Sequence, residues 1–470
     1  MSDSWNEKHV LKIRNDQKDR HLAMTEENGE KRLHDLENPK KKFTPVELRK
    51  EIEPWLTALF QSEHLSLLTG AGISSAVHQL ATGHSGAGMT EAKFSVFRDQ
   101  IEIAAKESAE KAGRGKANIE DHIKVANNLL QGLLICATPK VDATGKLREG
   151  ITKKLCEDIA KLVEDLNRVM TDFINAVLKS ENNVVSSGRT SAAADKLMSF
   201  LVSFASRSTT RERLNIFTTN YDRIMEFGSE LAGIRLLDRF VGSLYPLFRS
   251  SRLEVDMHYN PPGIRGEPRY LGGVAHFTKL HGSLDWIYHD GYVRRLALPF
   301  GADSINAYLP SWGKEKADAR SVMIYPNEAK DRETAEYPYV ELFRDFAAAV
   351  CRPNSTVVVY GYSFGDEHIN RIVKDMLTIP STHLVIIAYS DEGDRVKSFW
   401  NEVKRPAQIS LLIGNHFGDL KTLVDYYLPK PAIDRATFRM AELLKARGIA
   451  ATDSSTKDYK HPEWPEGVGQ

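Results

Sequence analysis

Short, continuous apolar runs recur along the chain, and each is followed by a turn and often by a helical pattern. Apolar runs of this length, without polar alternation, are typical of strands buried on both faces of a parallel sheet. Helical patterns between them, such as residues 366–377, indicate βαβ units, so the chain is predicted to form an open, doubly wound α/β fold with a mostly parallel sheet. The predicted strands are residues 65–68, 214–217, 275–280, 321–325, 356–360, 384–388 and 409–413.

Residues 92–206 interrupt this alternation, because they carry helical periodicity with almost no strand signal. We interpret them as a large helical insertion whose apolar stripes form core and subunit contacts. The α/β domain is then predicted to comprise residues 43–91 and 207–450. Residues 1–42 are crowded with charge and poor in apolar side chains, which predicts a flexible arm, and residues 451–470 are predicted to form a loose tail.

Composition excludes several classes of protein. The 470 residues include 63 Lys and Arg against 63 Asp and Glu, and a balanced charge gives no global attraction to nucleic acid or anionic lipid. No apolar window reaches the roughly 18 residues of a membrane-spanning helix. The start lacks the apolar segment of a secretory signal, so a cytoplasmic location is expected. The three cysteines form no CxxC pair, which argues against a zinc knuckle and a disulfide framework.

Four short motifs directly follow predicted strands, where ligands bind in open α/β sheets. The first is TGAGIS at residues 69–74, whose small residues allow close approach of a phosphate to a helix N-terminus. An ordinary glycine-rich turn would have the same sequence. The second is TTNYD at residues 218–222. Its polar side chains are suited either to hold a ribose or to cap the helix predicted from about Arg223.

The third and fourth motifs also have two interpretations each. In LHGS, His281 lies beside a glycine at the end of a predicted strand, where it is sterically open to act as a general base, although a structural histidine is the commoner case. In GYSFGD, at residues 361–366, Ser363 occupies the nucleophile position of a G-x-S-x-G elbow, and Asp391 and His416 follow in the order that α/β-hydrolases use. The same turn is equally suited to hold a diphosphate.

Taken in this order, the four motifs resemble the NAD-binding fingerprint of the sirtuin superfamily over roughly residues 60–425. The resemblance implies a Rossmann-like domain in which the first loop and the later glycine-x-serine turn hold NAD. It also implies that an asparagine and a histidine act in catalysis. On this resemblance the catalytic residues are Asn220 and His281, and the NAD-binding residues are Gly70, Ala71, Gly72, Ile73, Ser74, Thr218, Thr219, Asp222, Gly361, Ser363 and Phe364.

The departures from protein-deacylating sirtuins indicate a particular branch. The two CxxC pairs of their zinc module are missing, so neither zinc nor another metal is expected, and residues 75–80 replace their Gly-Ile-Pro-Asp-Phe-Arg segment. In these respects the chain is similar to the sirtuin-like NADases of bacterial antiphage defence. That similarity implies hydrolysis of free NAD to nicotinamide and ADP-ribose, a homo-oligomer, and gating by a separate partner such as a HerA-type hexameric ATPase. Direct binding to nucleic acid or membrane is not expected.

Three alternatives to an NADase are open at this stage. A serine hydrolase would use Ser363, Asp391 and His416, but it leaves the other three motifs without a role. A non-catalytic sensor of NAD or ADP-ribose would use the same binding residues and leave the dinucleotide intact. A sirtuin-type deacylase is disfavoured by the missing zinc ligands.

Overall fold

The computed structural model describes residues 4–13, 18–27, 30–86, 91–111, 116–137, 140–141, 147–148, 153–207, 211–250, 257–259, 269–309, 322–324 and 337–430. The predicted tail at residues 451–470 lies outside this part of the chain. The strands are β1 (His9–Lys12), β2 (Arg20–Glu27), β3 (Glu30–Asp35), β4 (Lys42–Phe43), β5 (His64–Thr69), β6 (Lys140–Val141), β7 (Leu147–Arg148), β8 (Leu214–Thr218), β9 (Arg235–Leu237), β10 (Phe240–Val241), β11 (Leu247–Phe248), β12 (His258–Tyr259), β13 (Arg269–Tyr270), β14 (Val274–Lys279), β15 (Gly282–His289), β16 (Tyr292–Arg295), β17 (Val322–Ile324), β18 (Ser355–Tyr360), β19 (His383–Ala388) and β20 (Ile409–Ile413).

The helices alternate with the strands of the α/β core and also form the segment between β5 and β8. The helix α1 begins with a capping box, in which Thr44 and Glu47 satisfy each other's backbone N–H groups. The helices are α1 (Pro45–Phe60), α2 (Ala71–Thr82), α3 (Arg98–Lys111), α4 (Ile119–Ala137), α5 (Lys153–Ser186), α6 (Thr190–Ala205), α7 (Ile224–Leu231), α8 (Tyr339–Val350), α9 (Glu367–Leu377), α10 (Arg395–Val403) and the short turns α11 (Asn415–Gly418) and α12 (Leu420–Thr422).

The main sheet has eleven strands in the order β4-β3-β2-β1-β20-β19-β18-β5-β8-β14-β9. All pairs from β20 to β9 are parallel, whereas β1 to β4 add to the β20 edge as antiparallel strands. The prediction of a mostly parallel α/β sheet is therefore confirmed.

Helices cover both faces of this sheet, as a doubly wound fold requires. Helices α1, α2, α6 and α7 pack on one face together with Leu67 and Val358. Helices α8, α9 and α10 pack on the other face together with Leu68 and Val357. Neighbouring residues of one strand thus enter different cores, because side chains alternate between the two faces. Burial on both faces explains why these strands carry apolar residues on both faces.

The run at residues 321–325 was predicted as a strand of the parallel sheet, and that placement is wrong. Residues 322–324 form β17, which pairs antiparallel with β15 in a separate five-stranded sheet of order β10-β11-β16-β15-β17. An apolar run shows that a strand is buried, but its periodicity does not specify the sheet to which it belongs.

The N-terminal segment is not the flexible arm that its charge predicted. Strand β1 pairs antiparallel with β20, and β2 and β3 extend the sheet beyond it. Val10, Leu11, Leu22 and Leu33 are fully buried. Lys12 is also buried, and its ammonium donates to the carbonyls of Pro406 and Ile409 at 2.6 and 2.9 Å. The segment has few apolar residues of its own. These residues are buried because the main sheet supplies the surface against which they pack.

The described residues between β5 and β8 are mostly helical, and their helices divide between two cores. Helices α3, α4 and α5 pack against one another and against the second sheet through Leu284 and Ile287. Helix α6 packs instead in the core of the main sheet. Even the longest described helix, α5, is not apolar enough to cross a membrane, and the same is true of the other helices that the structure describes.

The buried N-terminal strand makes a stability prediction. Leu11→Ala removes a fully buried side chain of β1, so we expect the free energy of unfolding to fall by about 2–5 kcal/mol. Urea denaturation followed by circular dichroism measures this change. Leu36→Ala is the matched control, because Leu36 is 40% exposed. Equal denaturation midpoints for the two variants would contradict an integral β1.

Candidate active site

The four sequence motifs meet at one edge of the main sheet. The strands that precede them, β18, β5, β8 and β14, are consecutive neighbours in the sheet order and run parallel. Parallel neighbours end on the same side of a sheet, so the turns after them lie next to one another. The sequence separates these motifs by as much as 290 residues, and the topology brings them together.

The first and fourth motifs touch through their backbones. The N–H of Gly72 donates to the carbonyl of Gly361 at 2.9 Å, and the N–H of Gly70 donates to the carbonyl of Tyr360 at 3.2 Å. A Cβ atom on Gly72 would lie 2.5 Å from the Gly361 Cα, which no ordinary packing allows. Gly361 also has a φ of +62°, a conformation that favours glycine. These glycines are therefore needed for contact between the two turns, independently of any phosphate.

Asn220, in the second motif, is the centre of a buried hydrogen-bond chain. Its amide nitrogen donates to the Gly70 carbonyl at 3.0 Å and to the Ser74 hydroxyl at 2.9 Å. The Ser74 hydroxyl in turn donates to the Asp222 carboxylate at 2.7 Å. The other oxygen of Asp222 accepts the N–H of Ile224, the first residue of α7, whereas the N-cap position itself is Arg223 and has no side-chain cap. The chain fixes the orientation of Asn220 relative to the first loop.

His281, in the third motif, contacts the fourth motif. Its Nε2 lies 2.9 Å from Oδ2 of Asp366, whose side chain is only 4% exposed, whereas that of His281 is 20% exposed. The hydroxyl of Tyr362 bonds to both backbone groups of Asp366 and lies within hydrogen-bond distance of Asn370. Burial, reinforced by the negative charge of Asp366, raises the pKa of Tyr362 well above its ordinary value, so the hydroxyl stays neutral.

Lys279 connects the second and third motifs. Its ammonium is buried and donates to the carbonyls of Tyr221 and Asp222 at 3.3 and 2.5 Å. It also pairs with Glu226 at 2.9 Å. Since Lys279 ends β14 two residues before His281, the same residue anchors the backbone near both predicted catalytic side chains.

A cleft of about 1230 Å³ opens above these turns. The strand-end turns line it, together with side chains between residues 168 and 181 of α5. Most of the site residues predicted from sequence line this cleft: Gly70, Ala71, Gly72, Ser74, Thr219, Asn220, Asp222, His281, Gly361 and Ser363.

Three predicted NAD-binding side chains lie away from the cleft. Ile73 is fully buried in the core between the sheet and its helices. Thr218 is buried at the end of β8, where its hydroxyl accepts the N–H of Asn220 at 3.2 Å. Phe364 packs against Phe399 at a centroid distance of 4.7 Å. The side chains of these three residues support the turns from behind.

The helical insertion is bonded to the second motif. The guanidinium of Arg223 pairs with Glu181 of α5 at 2.6 Å, and both side chains are buried. The Tyr221 hydroxyl donates to Glu120 of α4 at 3.2 Å, and the Tyr221 ring packs edge-on against Phe173. Moving the insertion away would break the Arg223–Glu181 ion pair and leave two uncompensated buried charges. The pair therefore holds the insertion against the turn that carries Asn220.

Sequence reasoning missed several residues of the cleft. Arg395, at the start of α10, lines it, and its guanidinium lies 2.8 Å from the position that a Cβ on Gly365 would take. Asp366 ends the fourth motif, but the sequence alone assigned it no role, although an acidic residue at a strand-end turn is a recognisable signal of a site residue. The residues of α5 appeared only as an amphipathic stripe, which gives no indication of which face meets a cleft.

The geometry gives the proposed hydrolase triad other roles. Both carboxylate oxygens of Asp391 accept backbone N–H groups, from Val396 at 2.8 Å and Lys397 at 3.0 Å. Nε2 of His416 is paired with the Tyr427 hydroxyl at 2.7 Å, deep in the core. Burial raises the pKa of Asp391. A serine–histidine–aspartate relay needs the histidine between the other two side chains, and these bonds support structural roles instead.

The cysteines show no arrangement typical of a metal site. Cys136 and Cys156 are exposed and Cys351 is half-buried, each as a free thiol. In the described ranges, no group of three or more His, Cys, Asp or Glu side chains is placed to hold a metal ion.

Fold and cleft together define the class of protein: a Rossmann-like α/β fold with its ligand cleft at the strand ends. Residues 214–405 match the family model described as "SIR2-like domain". The matched segment includes the second, third and fourth motifs, while TGAGIS and the helical insertion lie outside it. The match supports the sirtuin-like resemblance and, with it, an NAD-dependent enzymatic activity. No curated protein matches the chain.

The contact between the two glycine turns generates a prediction. Gly72→Ala places a Cβ 2.5 Å from backbone, so we expect the free energy of unfolding to fall by about 1–3 kcal/mol. Gly132→Ala is the control, because Gly132 lies in α4 with open space around it, and alanine should stabilise that helix by up to about 1 kcal/mol. Urea denaturation of both variants measures the difference. A Gly72 variant as stable as the unsubstituted protein would show that the turns are separable.

Proposed function

We propose that the chain is an NAD glycohydrolase, which cleaves the nicotinamide–ribose bond of NAD to give nicotinamide and ADP-ribose. The observation that carries this proposal is the convergence of Asn220 and His281 on one cleft beside the paired glycine turns. NAD is the substrate, and the proposed chemistry requires no zinc or other metal. The SIR2-like match of residues 214–405 supports the choice of NAD as the dinucleotide.

Binding would place the diphosphate near the N-terminus of α2 and the Ser363 turn. The partial positive charge of the helix end attracts an anion there. Because Gly70 and Gly72 already use their N–H groups in turn contacts, the helix end alone offers few free donors. Arg395 supplies a cationic side chain at the same place. We therefore assign diphosphate binding to the helix end, Ser363 and Arg395 together.

Cleavage would proceed by departure of nicotinamide and attack of water. The electron pair of the glycosidic bond moves to the nicotinamide ring nitrogen as positive charge develops on the anomeric carbon. The water oxygen bonds to that carbon, and the water proton passes to His281. Both amide hydrogens of Asn220 are donated to Gly70 and Ser74, which leaves its carbonyl oxygen to orient the water or a ribose hydroxyl.

The wall formed by α5 supports a small, free substrate. A volume of about 1230 Å³ is large for a drug-sized ligand and is suited to a dinucleotide. Residues of α5 line the cleft together with the turns, and contacts through Arg223 and Tyr221 hold the insertion there. The proposal is therefore hydrolysis of free NAD, in preference to transfer of an acyl group from a protein.

We further propose a role in antiphage defence, in which the cytoplasmic enzyme depletes NAD when a partner activates it. Unregulated NAD loss is toxic, so gating is expected, and a HerA-type hexameric ATPase is the partner class that the resemblance suggests. A homo-oligomer is also proposed. Exposed apolar side chains on and beside the second sheet, among them Leu244, Tyr288 and Tyr292, offer a surface for such assembly.

Catalysis is tested by mass spectrometry of NAD after incubation with the purified protein. We expect nicotinamide and ADP-ribose from the unsubstituted protein, and a rate lower by about 10²–10⁴ for His281→Ala, because the variant lacks a positioned base. Asn220→Ala should also lower the rate strongly, because the variant loses the carbonyl that orients the nucleophile.

His289→Ala is the matched control, since His289 lies at the end of β15 and does not line the cleft. Full activity in His289→Ala together with loss in the two cleft variants would support the proposed site. NAD that binds and remains intact in every sample, including samples with the candidate partner, would favour a sensor. Turnover unaffected by either cleft substitution would contradict the assignment.

The role of Arg395 is tested by binding. Arg395→Gln removes the cation beside the Ser363 turn, and a hydrogen bond to a charged group contributes about 1.5–3 kcal/mol. We therefore expect the Kd for ADP-ribose, measured by calorimetry, to rise about 10- to 100-fold. Arg405→Gln, an exposed position outside the cleft, should leave it unchanged. Equal Kd values for the two variants would remove Arg395 from the site.

A further inference from the structure

We propose that Asp366 is a positioning residue that holds His281 in one tautomer, with the hydrogen on Nε2 and the lone pair of Nδ1 available as the base. This inference rests on the proposed function, in which His281 takes the proton from water. It assigns a role to a residue that the sequence motif contains but that the resemblance leaves without one.

The contact itself specifies the tautomer. Oδ2 of Asp366 lies 2.9 Å from Nε2 of His281, which is hydrogen-bond distance. An ionised carboxylate only accepts hydrogen bonds, so the hydrogen in this contact belongs to the imidazole. In neutral imidazole a hydrogen on Nε2 leaves Nδ1 without one. Asp366 therefore determines which nitrogen of His281 is free to accept a proton.

Hydrogen bonds fix both the side chain and the backbone of Asp366. Its second oxygen accepts the N–H of His368 at 3.0 Å, as the N-cap of α9. Its backbone N–H donates to the Tyr362 hydroxyl at 3.2 Å, and that hydroxyl lies 3.0 Å from its carbonyl. The side chain is 4% exposed. A carboxylate fixed in this way loses little further freedom when it orients the histidine.

The helix cap alone does not explain an aspartate at this position. Capping uses one oxygen, and asparagine caps a helix as well as aspartate does. Oδ2 of Asp366, which the cap does not use, is the oxygen that meets His281. Only a carboxylate both accepts there and stabilises the imidazolium formed after proton transfer. Asp366→Asn is therefore an informative substitution, since it keeps the cap and changes the group that faces the histidine.

In the Asp366→Asn variant the side-chain oxygen should stay on the His368 N–H, which turns the amide nitrogen towards His281. An amide nitrogen donates hydrogen bonds, so Nε2 becomes the acceptor and the hydrogen moves to Nδ1. The ring nitrogen that should receive the proton is then blocked. We expect kcat for NAD hydrolysis to fall about 10²–10⁴-fold, the size of a lost general base, while the Kd for ADP-ribose changes less than about threefold.

Measuring the tautomer of His281 distinguishes a positioning role of Asp366 from a purely structural one. Protein labelled with ¹⁵N-histidine gives ring-nitrogen signals that distinguish the two tautomers, and His281 is assigned by the signals missing from His281→Gln. We expect the Nε2–H form in the unsubstituted protein and the Nδ1–H form in Asp366→Asn. Asp375→Asn, an exposed position on the same helix α9, should change neither the tautomer nor kcat.

The outcomes separate this inference from the proposed function. If the protein consumes no NAD but the tautomer changes as expected, the positioning role stands and the proposed reaction falls. If NAD is consumed and His281 keeps one tautomer in both proteins, the positioning role is overturned. Should Asp366→Asn fail to fold, the unsubstituted protein decides alone, because an Nδ1–H form there contradicts the proposal.

Discussion

Backbone contact between two turns is the constraint on which the site depends. Gly72 and Gly361 approach so closely that a single methyl group on either would collide with main-chain atoms. Because these turns begin the connections to α2 and α9, their contact fixes both helix starts relative to each other. Asn220 then bonds to the Gly70 carbonyl, and His281 reaches Asp366 at the start of α9. The backbone contact between the two turns thus fixes the positions of Asn220 and His281, although these residues follow different strands.

Much of this arrangement could be predicted from sequence, because its signals are local. Strands such as β5 and β18 carry apolar residues on both faces, since helices cover both of their faces, and that pattern is visible in the sequence alone. Polar and small residues directly after such strands mark the ligand edge of an open sheet. The family resemblance then connected motifs that are individually weak. The contact that requires the glycines was not visible, since it joins residues almost 290 positions apart.

The features that could not be predicted depend on contacts between residues that are far apart in the chain. The charged N-terminal segment hides Val10 and Leu11, whose burial requires β20 as a neighbour. Residues 322–324 have the composition of a core strand but pair with β15 in the second sheet. Arg395 and the cleft face of α5 carry no local signal, because a lone arginine or an amphipathic stripe has the same pattern on any solvated helix. Their roles follow from the tertiary fold alone.

The pairing of β1 with β20 also determines when the main sheet can be completed during synthesis of the chain. Residues 10–12 lie beside residues 411–413, so about 400 residues must be synthesised before the first strand finds its neighbour. Strand β18 likewise can pair with β5 only after the whole helical insertion has been synthesised. A growing chain that has not yet reached residue 361 therefore has the first glycine turn without the fourth, and its cleft is incomplete. This topology delays a complete cleft until the fourth motif has been synthesised.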